Sequence, residues 1–164
     1  MSTQVVIRRY DVDRDHPSLR DCIVEQQNVH RGLEPTWPDG SAMADEYLAY
    51  LDTQCAAHNG CILIAQLGQQ VVGFACVVAS MRGEAPDDPA PFAWIYDVYV
   101  KAAQRRHGVA SLLTAEAERF ARAAGAPAIR LGVLDRNEGA RAFYARRGFR
   151  DYTRILTKPL SEAG

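Results

Sequence analysis

No Cys-x-x-Cys pair occurs in this chain: Cys22, Cys55, Cys61 and Cys76 are scattered, and its four histidines form no cluster that would complete a ligand set. No metal site is therefore expected, and the cysteines read as buried free thiols of a reducing compartment. No apolar run approaches the roughly 18 residues of a membrane-spanning helix, and Met1-Ser2-Thr3-Gln4 lacks the charged-then-apolar layout of a signal peptide. A cytoplasmic protein with no membrane partner is expected. Excess positive charge is missing too. The formal net charge is −1 and the pI near 6.4, so no broad field exists to hold a nucleic acid. What remains is 164 residues, 48% apolar and 24% charged with 12 Gly and 8 Pro, the profile of one globular domain; disorder, collagen-like repeats and a disulfide mini-scaffold are excluded.

The near-zero net charge hides a division. Residues 1–100 carry 6 Lys/Arg against 14 Asp/Glu, whereas residues 101–164 carry 13 against 6. An acidic part joined to a basic part points to two kinds of ligand, one of them a small, localised polyanion.

Along the chain, Val5-Val6-Ile7 and Tyr10 read as a strand. Asp15-His16-Pro17 reads as the start of a helix carrying Leu19, Cys22, Ile23 and Gln26 at helical spacing. Residues 30–40 read as an irregular stretch, and Ser41 as the cap of a second helix with Ala44, Tyr47, Leu48, Leu51 and Cys55 on its apolar face. Residues 61–65 and 71–78 form a predicted hairpin around Gly68, residues 82–91 a Pro-rich loop, and residues 92–100 a central strand with one ionisable residue, Asp97, in its middle. Gly108 opens a helix that Gly125 and Pro127 stop, residues 128–134 read as a strand, Asn137 caps a last helix ending at Gly148, and residues 149–157 read as a last strand. The order β-α-α-β-β-β-α-β-α-β predicts an α/β (α+β) domain: one mixed sheet with helices on both faces.

Gln104-Arg105-Arg106-His107-Gly108-Val109-Ala110-Ser111 joins the central strand to its helix. A helix N-terminus leaves backbone N–H groups unpaired and carries about half a positive charge, so it welcomes an anion. Gly108 permits close approach, Ala110 keeps the surface small, and Arg105, Arg106 and His107 add cationic donors. No Gly-Lys-Ser/Thr follows, which excludes a P-loop, and the three-glycine dinucleotide fingerprint is absent. Beyond the next strand lie Asn137, Ala140, Phe143, Tyr144, Gly148 and Phe149.

Here the chain resembles the GCN5-related N-acetyltransferase (GNAT) superfamily. Asp97-Val98-Tyr99-Val100 followed by Arg105-x-x-Gly108-x-Ala110 is similar to its acetyl-CoA pyrophosphate motif, and Asn137-x-x-Ala140-x-x-Phe143-Tyr144-x-x-x-Gly148-Phe149 to its second cofactor motif. The resemblance is specific over residues 92–150. It implies a single domain over residues 1–164, with a mixed, mostly antiparallel sheet of about six or seven strands and about four helices. Residues 92–150 would be the acetyl-CoA core and residues 11–60 the acceptor-side helices. The backbone of Val98, Tyr99 and Val100 would pair with the pantetheine arm, Arg105 to Ser111 (with His107, Gly108, Val109 and Ala110) would hold the pyrophosphate, and Asn137, Ala140 and Phe143 would line the CoA arm. Tyr144 would sit near the sulfur. A phenol with a reference pKa near 10 suits that place, since it can donate to a departing thiolate.

The attacking amine must lose a proton, and Asp97 is the candidate base by position, its structural alternative being a pairing with a backbone amide or an arginine. Strict strand alternation puts Trp94, Tyr96 and Val98 on one face and Ile95, Asp97 and Tyr99 on the other, whereas several family members keep the base on the face that here carries Trp94 and Tyr96. For the acceptor, Glu34, Asp39, Asp45, Glu46, Glu84, Asp87 and Asp88 offer negative charge, and Trp37, Trp94 and Tyr96 offer aromatic faces for a cation. The candidate substrate residues are thus Glu34, Trp37, Trp94 and Tyr96, for a small cationic amine or a peptide amine. Dimers are common in the superfamily, so a homodimer is among the expected partners, with no residue here marking its interface. The other readings are a CoA-binding regulatory or interaction domain without transfer activity, and a nucleotide-binding domain.

Overall fold

The computed structural model describes residues 4–83, 86, 87 and 91–160. Strands β1 (Val5–Arg9), β2 (Gly60–Leu67), β3 (Gln70–Met81), β4 (Phe92–Val100) and β5 (Ile129–Leu131) form one sheet in chain order. The first four pair antiparallel, and β4 pairs parallel with β5. Helices α1 (Val12–Leu33) and α2 (Gly40–Ala57) follow β1, α3 (Val109–Ala123) bridges β4 and β5, and α4 (Glu138–Arg146) comes last. The parallel pair needs that helical crossover because a tight turn only reverses a strand. Residues to Gly132 form one compact unit and residues from Val133 a second.

In the first unit the sheet separates two apolar clusters. Leu19, Cys22 and Ile23 of α1 and Ala44, Leu48 and Leu51 of α2 pack with Ile62, Ile64, Phe74, Cys76 and Tyr99 on one face. On the other, Val109, Leu113 and Ala117 of α3 pack with Leu63, Ala65, Ala75, Val77, Ile95 and Val100. Strands β2 and β3 are covered on both sides, which explains their nearly continuous apolar runs. No helix among the described residues is long and apolar enough to cross a membrane.

Several boundaries differ from the sequence expectation. Among the described residues the sheet has five strands rather than six or seven. Residues 149–160 join no strand, and Ile155, Leu156 and Leu160 are exposed: a segment becomes a strand only where a neighbouring backbone completes the ladder. β5 is three residues long instead of seven. Helix α1 begins at Val12, before the Asp15-His16-Pro17 signal, because the Asp11 carboxylate accepts from Asp13 N while Asp15 accepts from Asp11 N (2.9 Å). It then runs through Gly32 to Leu33 and ends two residues before Pro35, which disfavours helical backbone in the residue preceding it. The cap of α2 is Asp39, which accepts from both Ser41 N and Ser41 Oγ, rather than Ser41 itself. Buried Asp15 also takes a two-pronged bond from Arg8 (2.6 and 2.8 Å), which ties β1 to the first turn of α1 and holds the Asp15 carboxyl below the usual carboxylate range.

Helices α1 and α2 meet at Gly40, where an added Cβ would lie 2.3 Å from Val24 O and 2.8 Å from Val24 Cα. Gly32, in the same helix pair, has nothing within 4 Å. Chemical denaturation should therefore show Gly40→Ala destabilised by about 1–3 kcal/mol and Gly32→Ala stabilised by up to about 1 kcal/mol. Equal effects of the two would contradict the close packing of α1 on α2.

Candidate functional site

Strand β4 breaks its own alternation. Its register with β3 runs Gly73↔Val100, Phe74↔Tyr99, Ala75↔Val98 and Cys76↔Asp97, then jumps to Val77↔Ile95. Tyr96 is the extra residue of a β-bulge. Ile95, Val98 and Val100 accordingly belong to the α3-side cluster, and both Tyr96 and Tyr99 pack on the α1/α2 side. Asp97 lies on that second face too, since it accepts a 2.9 Å bond from Tyr47 Oη of α2. The expected split of Tyr96 from Asp97, with Val98 beside Tyr96, is corrected. One additional residue rotates the carboxylate onto the face where the resemblance placed a base.

Asp97 is 6% exposed. Burial pushes its carboxyl up to about 6, against bonds from Tyr47 and Gln26 that favour the charged form. Its partners are thus a phenol and a side-chain amide, where the structural alternative named an arginine or a backbone amide. Burial, with the Asp97 charge adding to it, raises the Tyr47 hydroxyl. Tyr47 stacks on Tyr50 (5.9 Å between centroids), Tyr50 meets Tyr96 edge-on (5.7 Å), and Tyr96 stands 6.5 Å from Trp94 and donates to Gln54 Oε1 (2.9 Å). Met43, Glu46, Tyr47 and Tyr50 line a depression in the α2 surface.

Two of the four proposed acceptor residues, Trp94 and Tyr96, therefore join Asp97. Glu34 and Trp37 lie on the connection from α1 to α2, where Glu34 accepts from Thr36 Oγ1 (2.8 Å) and Trp37 meets His30 edge-on (5.7 Å). Much of the acidic charge is also engaged: Asp45 takes a two-pronged bond from Arg20 (2.7 and 3.1 Å), and Asp39 caps α2. Glu84 and Asp88 lie outside the described residues. Tyr47, Tyr50, Gln26 and Gln54 were not among the functional residues expected from the sequence. The available signal was Tyr47 on an otherwise apolar stripe: a buried tyrosine hydroxyl needs a partner, and so does a buried aspartate.

The strand-to-helix junction is a second feature of this unit. After a short 3-10 turn (Ala102–Gln104), Arg106 (φ 64°) and Gly108 (φ 80°) adopt left-handed backbone on either side of His107. Gly108 opens α3 without any side-chain cap, although Asp11, Asp39 and Asn137 cap the other three helices. Leu112 N is the first amide of α3 bonded back to Gly108 O (3.1 Å), leaving the helix-start amides of Val109, Ala110 and Ser111 as the donors that no intrahelical carbonyl reaches. The β4–β5 ladder spans only Ala93 to Ile95 of β4, so the two strands part before Val98 and Val100. Arg105 Nε donates to Val100 O (3.0 Å), and its guanidinium lies 5.7 Å from the Tyr99 ring centroid.

In the second unit, Asn137 caps α4 as expected, accepting from Ala140 N (3.1 Å). Phe143, Tyr144 and Phe149 form an edge-to-face series (5.0 and 5.4 Å), and Gly148 (φ 89°) turns the chain after the helix.

The Acetyltransferase (GNAT) family model matches residues 27–149. The chain belongs to this family. No curated protein sequence matches it. Among solved structures, this GNAT chain is similar to a transcriptional regulator from Bacillus halodurans C-125 (19% identity, covering 96% of this chain and 100% of that one, TM-score 0.74). It is also similar to a GCN5-related N-acetyltransferase from Ralstonia eutropha JMP134 (18%, 96% and 99%, TM-score 0.71). A third is an aminoglycoside N-acetyltransferase in complex with CoA (20%, 98% and 97%, TM-score 0.69), which has also been solved with a bisubstrate analogue. At such identities the likeness concerns the fold.

The buried carboxyl makes a stability prediction. Folded Asp97 keeps its proton to about pH 6, whereas an unfolded aspartate releases it near 3.8, so between these values the native state binds the proton better. Its stabilising effect is complete below pH 3.8 and is lost, by up to about 3 kcal/mol, as pH rises through 6. Thermal melts of Asp97→Asn and wild type should therefore diverge in the variant's favour between pH 4.5 and 7.5. A difference independent of pH would contradict the buried, proton-holding carboxyl.

Proposed function

We propose that this protein is an acetyl-CoA-dependent N-acetyltransferase, moving an acetyl group by direct attack in a ternary complex to the primary amine of a small cationic molecule or a peptide. The uncapped N-terminus of α3 carries the reading: its amides and dipole suit an anion, and its entry loop adds Arg105, Arg106 and His107. Bound acetyl-CoA would supply an activated thioester. The residues present fit its diphosphate, because Gly108 presents no side chain and no acidic residue occupies the first turn of α3. Where β4 and β5 part, the backbone of Val98, and that of Val100 once Arg105 releases its carbonyl, offers peptide hydrogen bonds to an amide-bearing arm.

Asp97 takes the proton of the incoming ammonium. Its elevated pKa suits a base working near neutrality. Tyr144, assigned by its motif, donates to the sulfur as it departs, and Asn137, Ala140 and Phe143 of the same motif hold the arm. Residues 92–150 make the cofactor core and residues 11–60 the acceptor side, in a cytoplasmic protein.

Free thiol released from acetyl-CoA, measured across a panel of primary amines, tests the reading. CoA binding without release would favour a binding or regulatory domain instead. Tyr144→Phe should lower kcat about tenfold or more with acetyl-CoA affinity unchanged; an unaltered kcat removes Tyr144 from the chemistry. Ser111→Glu places a carboxylate in the first turn of α3, where it suits the helix dipole but opposes a phosphate. It should leave the free protein's melting temperature equal or higher while weakening CoA binding more than about tenfold. Undiminished CoA affinity would move the diphosphate site elsewhere.

A further inference from the structure

Tyr47 is common to two features so far treated separately: it lines the depression with Met43, Glu46 and Tyr50, and its hydroxyl donates to buried Asp97. We infer that the depression seats the acceptor's ammonium group and that Tyr47 relays its proton to Asp97. The inference rests on the acetyltransferase reading and adds the acceptor's place and the proton's route.

The lining chemistry fits a cation attached to an aliphatic chain. The stacked rings of Tyr47 and Tyr50 present π-faces, Glu46 supplies an exposed carboxylate on the same helix, and Met43 supplies an adaptable apolar wall. Among the described residues Glu46 pairs with no arginine, unlike Asp39 and Asp45. Asp97 is too buried to meet a substrate nitrogen directly, so a proton bound for it needs a carrier. The Tyr47 hydroxyl already points its hydrogen at Asp97 Oδ2 over 2.9 Å and has oxygen lone pairs left to accept another.

The transfer balances as a double shift. One N–H bond of the ammonium breaks and its proton goes to Tyr47 Oη, while the proton of Tyr47 Oη goes to Asp97 Oδ2. The products are a neutral amine, a regenerated phenol and a neutral carboxylic acid. No free tyrosinate is required, which matters because the Tyr47 hydroxyl resists ionisation. The titratable groups facing the pair are Tyr50 of α2, Cys76 of β3 and Tyr96 of β4; α1 contributes the neutral Gln26, its neighbour Glu25 being bonded to Tyr99 Oη. None of them duplicates the relay, since none both lines the depression and bonds to Asp97.

Tyr47→Phe tests this, because it keeps the ring stack and deletes only the hydroxyl. With the best amine of the panel, kcat should fall about tenfold or more. The acidic limb of kcat/KM should also move to higher pH, because Asp97 loses a bond that favours its charged form. CoA affinity should stay the same. A tyrosine that only bonds Asp97 would shift the limb but leave kcat on the alkaline plateau unchanged. Glu46→Gln, on the exposed surface, should raise KM for the amine several-fold with kcat nearly unchanged. Calorimetric titration of the CoA-loaded protein with 1,4-diaminobutane provides a second readout, which Glu46→Gln and Tyr50→Ala should weaken. Transfer that is indifferent to these substitutions would overturn the relay and leave the acetyltransferase reading standing. Diamine binding that depends on Glu46 and Tyr50 without thiol release would support the seat and overturn that reading. Neither binding nor release with any amine would overturn both.

Discussion

The geometry around Asp97 depends on one extra residue in β4. Without the bulge at Tyr96, a strictly alternating strand would place Asp97 and Tyr96 on opposite faces of the sheet, and a tyrosine from α2 could reach only one of them. With it, Tyr96 and Asp97 both face α1 and α2, and Ile95, Val98 and Val100 still fill the α3-side core. The bulge lies next to the point where β4 and β5 stop pairing, so a single local irregularity coincides with both the carboxylate's placement and the open strand edge. Bulges concentrate where a side chain must be re-aimed, because they change facing without interrupting the sheet on either side.

The helix termini show a comparable division of labour. Three helices close their first amides with Asp11, Asp39 or Asn137, each contributing about 1 kcal/mol by the usual scale of such caps. α3 forgoes that contribution and begins on a left-handed glycine. Its stability comes instead from Val109, Leu113 and Ala117 buried against the sheet, an amphipathic face strong enough to hold the helix without a cap. Amides spared from internal bonding are then free for a ligand that carries its own negative charge, and the basic residues that follow β4 reinforce the same preference.

What the sequence made legible was mostly what is local. The hairpin at Gly68, the Gly108 helix start and the Asn137 cap follow from short-range rules, and the two motifs that carry the family resemblance lie within one stretch of chain. What escaped was long-range. The bulge is a relation between β4 and β3 that no periodicity within β4 reveals, and the Tyr47–Asp97 bond joins residues 50 positions apart. Ser41 and Asp15-His16-Pro17 were plausible helix starts, yet each lost to an earlier aspartate whose carboxylate reaches the first amides. The last strand failed for the opposite reason: a strand is a property of two backbones, and residues 149–157 pair with none among the described residues.

The burial of Asp97 resolves an apparent conflict between stability and chemistry. An exposed aspartate near 3.9 would take a proton from an alkylammonium near 10.4 only at a cost of about 9 kcal/mol, too much for an efficient pre-equilibrium. With the carboxyl at about 6 the gap narrows to about 6 kcal/mol. A neighbouring carboxylate or aromatic face would hold an ammonium in its charged form, so it is the raised carboxyl that narrows the gap. The fold gives up stability at neutral pH to keep this carboxylate buried, and a bond from a tyrosine rather than an arginine leaves its pKa raised. An arginine would have stabilised the charge and returned the pKa toward that of an ordinary surface acid.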